Sequence, residues 1–106
     1  MKILNLGRGQ GKTTRLLYAS EWQGVPILCK DNTSKQHLLD MAQELGLQIP
    51  EPISASELTC ETFQLKDIND SNIFVDEAHL VLQRILKSIG FKGNVEAITL
   101  SEYETI

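Results

Sequence analysis

The sequence turns on Gly7-Arg8-Gly9-Gln10-Gly11-Lys12-Thr13-Thr14, a glycine-rich octet between a short apolar run at 2–6 and a helical stripe from 12 onward. Glycines at 7, 9 and 11 let the backbone turn its N–H groups inward and admit a phosphate at close range. A helix starting just after them adds unpaired N–H donors and the positive end of its dipole. In this setting Lys12 reaches the outer phosphates as a mobile charge, and the Thr13 hydroxyl ligates magnesium. Gly7 to Thr14 are the candidate nucleotide-binding residues.

That chemistry is the chemistry of a P-loop, or Walker A motif. The usual spacing G-x-x-x-x-G-K-[ST] needs glycine at position 6, where Leu6 stands, so Gly7 comes one place late. The rival dinucleotide fingerprint G-x-G-x-x-G begins with Gly7 and Gly9 but meets Lys12 at its third glycine. It also lacks an acidic residue closing a second strand about 20 residues on. A glycine-rich turn followed by a chance Lys-Thr is the plain alternative.

Outward from the loop, strands and helices alternate. Residues 2–6 suit a buried strand, and Leu16, Leu17, Ala19 and Ser20 mark a helix over 12–21. After Gly24 and Pro26, residues 25–29 read as a second strand. Asn32, Thr33 and Ser34 offer N-caps to a helix bearing Leu38, Leu39, Ala42 and Leu45 that ends at Gly46. Residues 52–58 hold a short third strand and a turn, and 67–72 form a polar loop. Ile73-Phe74-Val75 is a strand, 78–89 a helix with Leu82, Ile85, Leu86 and Ile89 on its stripe, and 95–100 a last strand. Such alternation predicts a single α/β domain over 1–106, a three-layer sandwich with a mainly parallel sheet of about five strands.

The second chemical signal lies at the end of the central strand. Asp76 follows an apolar run, and Glu77 follows Asp76, where ligands gather in open α/β sheets. Asp76 is placed to hold magnesium, and Glu77 to polarise an attacking water. Acidic residues at a helix start can instead serve as caps.

Gly7 to Thr13 together with Val75-Asp76-Glu77 resemble the Walker A and Walker B motifs of the additional-strand, catalytic-glutamate class of P-loop NTPases. The loop is similar to the deviant loop of phage terminase large subunits, and Asp76-Glu77-Ala78-His79 to the DEAH box of helicases. The resemblance implies neighbouring Walker A and Walker B strands, ATP and Mg²⁺ as ligands, and Arg8 near the γ-phosphate. It also implies a polar residue ending the strand after Walker B, a place that Thr99 and Ser101 occupy. By the same resemblance the chain looks like a stripped ATPase core of the kind phage or prophage genomes encode.

Composition sets the limits. The chain has 106 residues, 42% apolar and 23% charged, which suits one globular core. No apolar stretch approaches the roughly 18 residues that span a bilayer, and residues 1–6 are apolar too briefly for a secretory signal, so a cytoplasmic chain is expected. The net charge of −4 disfavours nucleic-acid binding through bulk charge but leaves a local patch open. Cys29 and Cys60 lack zinc-ligand spacing and read as buried free thiols. Tyr18 and Trp22 read as packing, Arg84 and Lys87 as a solvated face, and His37 as solvent-facing without a role; Arg8 and Arg15 add positive charge around the loop that suits a triphosphate, with plain solvent exposure the alternative for Arg15. His79 is either a coupling residue or a plain surface histidine.

Three functions follow. The first is a slow, magnesium-dependent ATPase with Lys12 and Glu77 as catalytic residues and Thr13 and Asp76 at the metal. No arginine finger is recognisable, a group worth about 10³–10⁵ in rate, so turnover is expected to rise on homo-oligomerisation or with a protein partner. The second is a nucleotide-gated or non-catalytic module docking on a replication, recombination or packaging factor. The third, a phosphotransferase acting on a nucleoside or nucleotide, lacks the arginines for a lid.

Overall fold

A computed structural model describes residues 2–3, 11–58, 72–99 and 104–105. Half of the glycine-rich octet, Gly7 to Gln10, lies outside the described residues, as do Leu6, Cys60 and Ser101. The elements run β1 (Lys2–Ile3), α1 (Lys12–Gln23), β2 (Ile27–Cys29), α2 (Asn32–Leu45), β3 (Ile53–Ser54), a 3₁₀ turn (Ala55–Glu57), β4 (Phe74–Val75), α3 (Ala78–Ser88) and β5 (Glu104–Thr105). The α/β class expected from the alternation is therefore present.

Both sheets are parallel. One has the order β3-β2-β4, with Leu28 in register with Ile53 on one side and Val75 on the other. The second pairs β1 with β5, Lys2 opposite Glu104. Among the described residues β1 pairs with β5 and β4 with β2, so neighbouring β1 and β4 are not observed.

Side-chain alternation along β2 explains the layering. Ile27 and Cys29 join Leu16 and Leu17 of α1 and Leu38 and Ala42 of α2 in one buried cluster, with Phe74 packed against it. Leu28 points the other way and packs with Ile53, Ala55 and Val81 of α3. Helices therefore cover both faces of the three-stranded sheet. All three β2 residues are buried, as expected for the middle strand of a covered parallel sheet. β4, at the edge of that sheet, is only half covered, with Phe74 partly buried and Val75 exposed.

Local chemistry sets the helix limits. α1 ends where Gly24 takes a left-handed conformation and donates to the Ser20 carbonyl at 2.9 Å. The buried Ser20 hydroxyl in turn donates to the Val25 carbonyl at 2.6 Å, which turns the chain into β2. The N-cap of α2 is Asp31 rather than Asn32, Thr33 or Ser34: its carboxylate accepts from the Ser34 N–H at 2.8 Å. Gly46 closes the same helix, as its sequence position suggests.

Three expectations are corrected. α3 turns Val81 and Ile85 toward the sheet, leaving Leu82 exposed and Ile89 at 77% exposure, because it packs over the 3₁₀ turn and β2. Residues 95–99 form no strand; the Val95 N–H is taken by the Gln83 side chain at 2.7 Å, and the Gln83 amide donates to the Gly93 carbonyl at 2.8 Å. That clamp lays the segment against α3 instead of a sheet edge. Trp22 is 89% exposed and Tyr18 is exposed too, so neither packs in the core, because α1 buries the opposite stripe of Leu16, Leu17 and Ser20.

Candidate functional site

The site lies where α1 begins and where β4 ends. Gly11 caps α1 at φ 75°, ψ 26°, a left-handed conformation that only glycine adopts without strain. The helix starts on Lys12, so the first-turn N–H groups of Lys12, Thr13 and Thr14 have no intrahelical partner. The Arg15 N–H closes the first turn on the Gly11 carbonyl at 3.0 Å.

On the other side, the Asp76 N–H donates to the Leu28 carbonyl at 3.0 Å and extends the β4–β2 ladder by one residue. Glu77 then breaks from strand to helix within one residue, at φ 56°, ψ 57°. Among the described residues it is the sole non-glycine at positive φ. Its carbonyl accepts from Leu80 and Val81 at 2.9 and 3.1 Å, which starts α3. The Glu77 side chain makes no capping hydrogen bond. Its carboxylate stays free of that role and lies 3.8 Å from the His79 imidazole. Strain of this kind at a non-glycine persists only where the surrounding structure enforces it, and such positions cluster at functional sites.

The two halves meet. The Thr13 hydroxyl and the Lys12 ammonium both lie close enough to the Asp76 carboxylate to favour its charged form. Burial nonetheless pushes the Asp76 carboxyl above its ordinary range, helped by the adjacent Glu77 charge; Thr13, Lys12 and His37 pull the other way. Gly11, Lys12, Thr13 and Thr14 share a cleft of about 430 Å³ with Glu77, His79, His37 and Met41, a volume within the usual range for a small-molecule site. Four of the eight expected octet residues thus join Glu77 in one cleft, and Asp76 lies beside it near Thr13.

His37 and Met41 are the residues that sequence reasoning missed. They sit one turn apart on α2, each one position before the core pair Leu38 and Ala42. That offset of about 100° turns them from the sheet toward the start of α1. The i, i+4 spacing was visible, but nothing in the sequence says which neighbour α2 faces.

A magnesium ion fits the donor set. Thr13 and Asp76 supply two neighbouring hard oxygens, the few protein ligands magnesium takes when phosphates and waters complete its shell. Among the described residues no group of three or more His, Cys, Asp or Glu side chains forms a self-sufficient metal cage, and no helix is long and apolar enough to cross a membrane. Comparison of the chain with protein-family models, with curated proteins and with solved structures returned no match.

Proposed function

We propose that the chain binds a nucleoside triphosphate, ATP by default, together with magnesium, and hydrolyses it slowly. The observation that carries this reading is the cleft that Lys12 and Thr13 share with Glu77, with the Thr13 hydroxyl close to the Asp76 carboxylate at its edge. It joins a helix start that follows a glycine-rich loop to the acidic end of a parallel strand, across more than half of the sequence. Chance glycine turns and helix-capping acids give no reason for those side chains to meet.

In this reading Lys12 and the N–H groups opening α1 hold the outer phosphates. Thr13 and Asp76 hold the magnesium, which neutralises charge on the β- and γ-phosphate oxygens when bound. With neutral histidines the described charged groups at the site, Lys12 against Asp76 and Glu77, leave an excess negative charge. A polyphosphate accompanied by a divalent cation suits that balance better than a bare one. Glu77 orients a water in line with the γ-phosphorus. As the water oxygen bonds to phosphorus, the bond to the β–γ bridging oxygen breaks, ADP leaves, and the water's proton passes by way of the Glu77 carboxylate to solvent.

The test is thermal unfolding of wild type and Lys12→Ala, each with and without saturating Mg·ATP. Ligand at a hundredfold excess over Kd stabilises the folded state by about 2.7 kcal/mol, roughly 10 °C for a domain of this size. A shift in wild type that the variant loses supports the reading. No shift with ATP, ADP or GTP overturns it.

A further inference from the structure

We propose that His37 is a second side-chain contact to the terminal phosphoryl group, donating from the α2 wall of the cleft that Lys12 lines from α1. The inference rests on the cleft's being a triphosphate site. Lys12, Thr13 and Glu77 share one cleft with His37, and these are the groups assigned to the outer phosphates, the metal and the attacking water. A fourth side chain in that cleft faces the same end of the nucleotide.

The imidazole is held where it can act. α2 is fixed at its start by the Asp31 cap on Ser34 and along its length by burial of Leu38 and Ala42. Half-buried Met41, one turn on, packs against the core and fills the wall beside His37. His37 itself is exposed and lines the cleft. Its imidazole is therefore available to a ligand there without carrying any of the fold. A donor on this wall would contribute in cis part of the charge stabilisation that a chain without a recognisable arginine finger otherwise lacks. It would meet the γ-phosphate and not the shorter diphosphate.

Calorimetric titration of wild type, His37→Ala and His37→Gln with Mg·ATP and with Mg·ADP tests this. His37→Ala should weaken ATP binding about tenfold, the usual effect of losing one charge-assisted hydrogen bond, and change ADP binding less than about twofold. His37→Gln, whose amide still donates, should recover part of the ATP affinity. Equal loss of both nucleotides, or no change in either while wild type binds ATP, overturns the role of His37 and leaves the nucleotide site standing. Wild type that binds neither nucleotide overturns both. Melting curves of the two variants should match wild type, since the side chain is exposed.

Discussion

Glu77 offers a test that separates backbone from chemistry. Its φ of 56° puts a side chain where an L-residue costs about 1–2 kcal/mol relative to the right-handed region. The conformation is enforced from both sides, by the Asp76 N–H on Leu28 and by the Leu80 and Val81 N–H groups on the Glu77 carbonyl. Glu77→Gly removes the Cβ and with it the strain, while the greater freedom of glycine in the unfolded chain takes back about 0.5–1 kcal/mol. Glu77→Ala keeps the strain. Both variants lose the carboxylate and relieve its repulsion of Asp76 equally, so their difference reports the backbone alone. Glycine should exceed alanine by about 0.5–1 kcal/mol, or roughly 3–6 °C in Tm.

Nucleotide-free melting followed by circular dichroism measures that difference. In the same pair, ATP turnover should fall about 10²–10⁴-fold, equally in both, with Mg·ATP binding retained. A glycine variant that melts at or below the alanine variant would mean that the left-handed turn at Glu77 is not enforced. Retained turnover in either variant would remove Glu77 from the water-orienting role. If both parts hold, the residue trades stability for the position of its carboxylate.

Two further outcomes are expected. Trp22, the single tryptophan, is 89% exposed, so its native fluorescence should resemble indole in water and be quenched by iodide nearly as readily as in denaturant. Trp22→Ala should change stability by less than about 0.5 kcal/mol, and a blue-shifted native spectrum would contradict the exposure. Cys29 is a buried free thiol that bonds to the Ile53 carbonyl at 3.4 Å; burial, with the Asp76 and Asp31 charges, pushes its pKa from 9.0 to about 11. In a Cys60→Ser background its thiolate fraction near neutral pH should be about 100-fold below that of an unfolded thiol, and disulfide-exchange labelling slower by at least that factor. Because the folded pKa is the higher one, the stabilisation is complete below pH 9 and is lost as pH rises toward 11. Rapid native labelling, or stability flat across that window, would count against the burial.

Much of this was readable from residue order because each chemical group comes with a local signal. Lys12 and Thr13 follow glycines at a helix start, and Asp76 and Glu77 follow an apolar run. The third strand with its turn, the Gly24 and Gly46 helix ends and the buried Leu16, Leu17 and Ser20 stripe likewise depend on neighbours in sequence. What was not legible depends on neighbours in space. Val95, Ile98 and Leu100 look like a strand, yet the Gln83 side chain takes the Val95 N–H. Glu104 and Thr105 carry no apolar signal, yet they pair with β1. His37 looked like one more exposed polar residue because the orientation of α2 relative to α1 is a tertiary fact.

The geometry of the site depends on a strand that contributes nothing to its chemistry. Thr13 and Asp76 come from α1 and from the end of β4, elements with no sequence continuity, and each is located against β2. Leu16 and Leu17 of α1 pack with Ile27 and Cys29, while β4 is registered to β2 by Ile27 opposite Phe74 and Leu28 opposite Val75. The last rung of that ladder, the Asp76 N–H on the Leu28 carbonyl, fixes the backbone that carries the carboxylate. A shift of β4 by one residue would put Glu77 at that rung and turn Asp76 to the opposite face, because side chains alternate along a strand. The apolar register of Phe74 with one cluster and Leu28 with the other opposes such a slip. Hydrophobic burial is non-directional, but the two-residue period of a strand makes it directional here. The same burial that stabilises the sheet thereby selects which carboxylate meets Thr13.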